Sequence, residues 1–444
     1  MLYALCPMRR AQHPLTILAL VALGLMFFTG IGRAQTKGTF TPRVSVSETY
    51  DDNIDLDPDD EESDWITVVS PGANFQLETQ YTQLALDYEA GFSFYAKNSS
   101  RDTTRHRAQI SWDQLLAEHW RLNLNDTFSR SEDPITVEDD RITDISNERE
   151  VEYRNTGEAS LNWQFGAEDI AALGYRNHLL DSRADQTEDS RANEGFLNLN
   201  TWFVPQFGIG LTSSYGRWEF QQSKDFTGDA TEDFHLYQAG LTMNYRWRPQ
   251  QLAYARYSIV YRDADKEIGT DSEDYYVHQP ALGLNMSLGP NTSLGTEVGY
   301  FLQDPDDGDK EEGFVLNASF NTQKDKASFG LLTNTGYDLD YGTADNQGFS
   351  KFSDNSARVD YEFTENLGIF ATARYRWEDF TETNRTDHTY GGRAGLGYTF
   401  HRWLTISLEG GHLRRDSNDD DQEFKDNRVT LRITTSYPIP LFGE

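Results

Sequence analysis

Arginines and carboxylates recur at alternate positions along this chain, and that spacing, more than any catalytic motif, indicates its chemistry. Arg246, Arg256, Arg262, Arg358, Arg374, Arg376, Arg393, Arg428 and Arg432 fall on the polar side of their segments, as do Asp87, Glu89, Glu297 and Glu362. Charges of both signs on one wet surface suit the guidance of ions or polar solutes. Arginine is concentrated from Arg246 onward. If consecutive segments are neighbours, one wall is basic and the opposite wall more acidic, which predicts an arginine track for anionic solutes or an acidic polysaccharide. The competing expectation is that these charges pair across strands and stiffen the interior.

Three acidic runs, around Asp55, Asp57, Asp59 and Asp60, around Asp306, Asp307 and Asp309, and over Asp419–Asp426, offer the oxygen ligands that Ca²⁺ prefers. None keeps EF-hand spacing, so hydrated loops are the stronger expectation and no cofactor is predicted. His106, His119, His178, His235, His278, His388, His401 and His412 are scattered, and neither Gly-x-Ser-x-Gly nor His-Glu-x-x-His occurs. The chain is not expected to be an enzyme.

Strands must position the charges. Between Gln83 and Lys97, Leu84, Leu86, Tyr88, Ala90, Phe92 and Phe94 share one face, and Gln83, Asp87, Glu89 and Ser93 the other. Leu252–Arg262 and the segment Arg428–Tyr437 repeat the pattern. Nine tight turns, near Gln80 through Arg402, alternate with ten long acidic connections, from Asp51–Asp64 to Asp416–Asp426. That alternation predicts an all-β fold: a single large antiparallel up-and-down transmembrane β-barrel of 20 strands, with 18 the alternative, over residues 39–438. Residues 439–444 are left as a short periplasmic tail, and neither a plug nor a periplasmic domain is expected.

Aromatic residues cluster at strand ends. Trp120, Phe165, Phe203, Trp247, Phe363 and Phe400 lie near tight turns; Tyr50, Trp65, Trp218, Tyr275, Tyr276 and Trp377 lie near long loops. They predict two interfacial girdles. The third loop, Glu132–Glu150, is the longest and holds eight acids and two arginines. Runs of charge usually stay in water, so it is expected to point outward.

Residues 1–34 read as a signal peptide: Arg9 and Arg10, an apolar run from Leu15 to Phe28, then Gly30, Gly32 and Ala34. The one cysteine, Cys6, lies within it, so no disulfide is expected. A net charge of −33 argues against nucleic acid as a partner. It belongs mostly on the external loops, because the inward positions are mixed.

The opening Val44-Ser-Val-Ser-Glu-Thr-Tyr-Asp-Asp-Asn-Ile54, followed by Ser63-Asp-Trp-Ile-Thr-Val-Val-Ser-Pro-Gly72, resembles the start of the β-barrel porin type 2 family. The resemblance implies an outer-membrane channel of a Gram-negative bacterium, in a family often associated with exopolysaccharide systems. It implies porin-like passage of solutes or export of a polymer, with outer-membrane lipid, lipopolysaccharide, polysaccharide and a periplasmic export partner as candidate partners. The alternative is a non-conducting surface barrel whose acidic loops bind cations, lipopolysaccharide or matrix. Oligomeric state is not legible.

Overall fold

Side chains that alternate every second residue put an apolar face on lipid and a polar face on water only if the strands close on themselves. A closed barrel leaves no backbone edge unpaired in the membrane. The computed structural model describes residues 36–138, 141–146, 149–183, 187–221, 231–265, 274–306, 308–339, 348–381 and 383–442. In it, 20 strands form one antiparallel barrel, each paired with its neighbours in sequence. The predicted signal segment lies outside the described residues.

The first strand, Lys37–Asp51, closes the cylinder against the last, Phe424–Ser436, in register from Arg43 with Ser436 to Asp51 with Arg428. A short strand, Ile439–Phe442, extends the closure by pairing with Gly38–Phe40. The wall therefore begins at Lys37 and continues past 438, where sequence alone leaves a tail. The Pro438 and Pro440 rings remove donors but leave carbonyls to pair, so the pattern is broken in sequence and not in space.

All nine tight turns fall where the sequence places them, and five of these hairpins carry a register shift beside the turn, as between Trp202 and Val204. Asp325 takes a left-handed backbone, φ 49°, in the two-residue turn after Lys324. The long loops gather at the opposite end, which is the external one in outer-membrane barrels.

In the last strand Val429, Leu431 and Ile433 are exposed on the outer surface, whereas Arg428, Thr430 and Arg432 line the interior. At the turn end Trp120 stacks on Trp163 with centroids 5.7 Å apart, and Phe203, Trp247, Phe363 and Phe400 stand exposed beside them. Tyr50 and Trp65 meet at 5.2 Å at the loop end. Two residues assigned to that outer girdle are elsewhere. Tyr275 is buried against Phe349, and Trp218 packs on Phe234, within an apolar cluster that also holds Phe301, Val277 and Val315. Both side chains sit on the inward phase of their strands, where loop-end residues cover them.

Candidate functional site: a lumen narrowed by the third loop

The third loop folds inward, contrary to the sequence expectation. Its ends carry a two-stranded hairpin, Ile135–Glu138 with Arg141–Ile145. Ile135 and Ile145 pack on Leu56 of the first loop and on Leu413 and Phe424 of the wall. The flanking charges are neutralised inside the barrel. Glu132 accepts from Arg105 at 2.6 Å, Asp133 from Arg428 at 3.1 Å, and Arg149 lies 3.4 Å from Asp51. Arg149 also donates to the Ile54 carbonyl and the Tyr95 hydroxyl.

Loop acids stay in water only when no cation awaits them, and here Arg105 and Arg428 do. Burial by itself would push the Asp133 carboxyl up, but Arg428, Arg149 and Arg105 hold it well below the usual carboxylate range.

Beneath this constriction lies a cavity of about 1010 Å³, lined by Asp51, Arg105, Asp133 and Arg428 near the loops. It extends toward the turn end past Arg358, Asp360, Arg374, Arg393, Glu409 and Arg432, among many Ser, Thr and Asn side chains. The lining is mixed: charged and hydroxyl side chains face the water that a barrel of this size admits, with Ile66, Val68, Leu332 and Leu413 among them.

The arginine-rich wall is not uniformly basic. Arg256 meets Glu297 at 2.5 Å, Arg358 meets Asp360 at 2.7 Å, Arg374 meets Asp354 at 2.7 Å and Arg393 meets Glu409 at 3.5 Å. Arg376 contacts Glu378 and Asp338, and Arg428 contacts Asp51, Asp133 and Asp426. Carboxylates two residues away, or diagonally across a strand pair, occupy the same face, so basic and acidic walls do not separate.

On the first strands Arg43 bridges Asp87 and Glu89 at 2.6 and 3.1 Å. Arg246 sits at the turn end with Glu168 at 2.6 Å and its guanidinium 3.9 Å from the Trp202 ring centre; that contact holds the Glu168 carboxyl below its ordinary range. Arg262 lies over Phe234 and Tyr275, and Glu362 is exposed at the turn-end rim. Arg432 has no ion pair among the described residues, and it lines the cavity beside Ser47 and Thr430.

Among the described residues, the acidic runs of the first and seventh loops do not converge on a cation site. Asp55 holds Arg101 through two contacts of 2.6 Å. Asp57 Oδ1 accepts the backbone N–H groups of Asp59 and Asp60, which lowers its carboxyl from the ordinary value. Asp306 and Asp309 are exposed, and Asp307 lies outside the described residues. A different trio, Asp51, Asp52 and Asp426, brings carboxylate oxygens within 4.8 Å of one another. Arg428 occupies it, 3.2 Å from Asp51 and 2.7 Å from Asp426, while Asp52 accepts from Asn427. Of these residues Asp426 ends the acidic run Asp419–Asp426, whereas Asp51, Asp133 and Arg149, which sequence reasoning did not single out, carry no local motif.

A family model described as "Putative beta-barrel porin 2" matches residues 204–437. The chain belongs to this porin family. It is thus a porin-like barrel of the Gram-negative outer membrane. No curated protein matches the sequence. Among solved structures, this porin-family chain is similar to Pseudomonas aeruginosa OccK2 (OpdF) at 12% identity and TM-score 0.42, over 92% of this chain and 99% of that one. Acinetobacter baumannii OccAB2 gives 12% and 0.41 over 92% and 100%. The copper transporter OprC gives 10% and 0.47 over 89% and 80%.

Proposed function

We propose that this porin-family barrel passes small hydrophilic solutes across the outer membrane, with a weak preference for anions. The observation that supports this reading is the lining of the cavity beneath the third loop, where seven arginines face five carboxylates and one arginine, Arg432, has no counterion among the described residues. A modest excess of fixed positive charge in a narrow wet passage raises the local concentration of anions. Reconstitution in a planar bilayer tests it. Discrete conductance with a reversal potential displaced toward the anion side is the expected result. If channels stay silent even after the loop segment 134–147 is shortened, the non-conducting surface barrel takes its place.

Export of an acidic polysaccharide, with a periplasmic partner at the turn end, is a narrower version of the same reading. The guanidinium groups of Arg358, Arg374, Arg393 and Arg432 along one side favour it. It requires the third loop to leave the lumen. Blockade of the current by an acidic polymer, but not by neutral sugars, is its signature.

A further inference from the structure

The outer wall carries a cation that the lumen chemistry does not use. Arg130 lies one residue from the loop end of its strand, Trp120–Ser131, on the membrane-facing side with its register partner His106. Its Nε donates to the Tyr153 hydroxyl at 3.2 Å, its Nη1 donates to Thr104 Oγ1 at 3.1 Å, and its guanidinium lies 5.6 Å from the Tyr153 ring centre. Three further cations of this rim are taken up by carboxylates: Arg217 meets Asp265, Lys351 meets Glu311 and Arg414 meets Asp416. Arg130 has no ion pair among the described residues.

His106 adds a second donor. Its Nδ1 lies 2.9 Å from the Tyr88 hydroxyl. When Tyr88 donates to Nδ1, the ring proton sits on Nε2, available to an acceptor at the surface. The same pairing recurs at Tyr257 with His278, 2.8 Å, and Tyr375 with His388, 2.9 Å. His106, His278 and His388 each stand three residues into strands that start at Thr103, Tyr275 and Arg385, near the loop end of the wall. His235 departs from the pattern, since Arg217 already approaches its Nε2 at 2.7 Å.

We propose that Arg130 and His106 form a binding site for a phosphate group of the outer-leaflet glycolipid, with Tyr88 and Tyr153 positioning the two donors. A guanidinium fixed by three neutral groups, without a carboxylate, keeps its charge for an external anion. An arginine facing lipid is tolerated at the interface and not at the midplane, which places the anion at headgroup level. The loop end of the wall meets the outer leaflet, where that phosphate belongs to lipopolysaccharide.

Native mass spectrometry of the detergent-purified barrel tests the site with three lipids: bisphosphorylated lipid A, the same lipid stripped of phosphate, and phosphatidylglycerol. The wild-type protein should bind the bisphosphorylated form about tenfold more tightly than the stripped form, and the Arg130→Ala/His106→Ala variant should lose that preference. Arg130→Lys should keep part of it. Undiminished preference in the double variant overturns the site, and so does phosphatidylglycerol binding as tightly as bisphosphorylated lipid A. If the double variant does not fold, the wild-type arms decide: equal affinity for the two lipid A forms overturns the proposal. None of these readouts depends on conductance.

Discussion

Arg428 of the closing strand and Asp133 of the third loop, 295 positions apart in the chain, meet at 3.1 Å inside the barrel. Asp133→Asn should loosen the loop, because it removes the carboxylate on which Arg428, Arg149 and Arg105 converge, while Arg428 itself keeps Asp51 and Asp426. Single-channel recordings should show larger or more variable conductance than wild type. Unchanged conductance would mean that the loop is held by its apolar contacts alone.

Acid should act late on this anchor. A carboxyl held below its unfolded value contributes stability at every pH above the ordinary range near about 3.9, and loses it only as pH falls through the lowered value. Asp133 is such a group. The part of the anchoring that Asp133 supplies should persist at neutral pH, and its loss should raise conductance only in strong acid. A rise already at neutral pH would place the controlling group elsewhere.

Arg432 should control selectivity at little structural cost. It faces the cavity without an ion pair among the described residues, so Arg432→Gln should shift the reversal potential toward cations while stability changes by no more than about 0.5 kcal/mol. Arg374→Gln should behave differently, because it takes from Asp354 its partner at 2.7 Å and leaves it only the longer contact to Arg376, 3.8 Å. If the two variants give the same shift and the same melting temperature, pairing does not govern the lumen field.

The apolar footing of the third loop is open to proteolysis experiments. Leu413→Ala removes a buried side chain on which Ile145 rests, and such truncations cost about 2–5 kcal/mol. Cleavage within the loop should accelerate while the barrel stays intact.

Calorimetric titration with Ca²⁺ should give no binding heat from the first loop. Asp55 is engaged by Arg101 and Asp57 by two backbone N–H groups, so neither offers free oxygens in a converging set. A saturable exothermic signal lost in Asp59→Asn/Asp60→Asn would show otherwise.

The wall was legible because its signals are local. A period of two along Gln83–Lys97 sets which side chains face lipid, and Pro205, Pro249 and Pro290 mark turns through a missing donor. The lumen was not, since each of its deciding contacts joins residues from different strands. Arg374 reads as free until Asp354, 20 positions earlier, is placed beside it by strand pairing. The third loop misled for the same reason: its acids look solvated until Arg105 and Arg428 are brought to them. Trp218 and Tyr275 lie at strand ends as girdle residues do, and only the phase of the strand turns them inward.

The third loop also holds both edges of the seam at which the barrel closes. Asp133 grips Arg428 on the last strand, and Arg149 grips Asp51 on the first, while Arg428 and Asp51 are themselves register partners across that seam. Such a clasp can be fastened only after the two ends of the sheet have met, which requires contacts between residues hundreds of positions apart and is slow for that reason. Narrowing of the pore and completion of the cylinder then become one event. A barrel caught unzipped would be a wide hole, and a finished one is throttled from the moment it shuts.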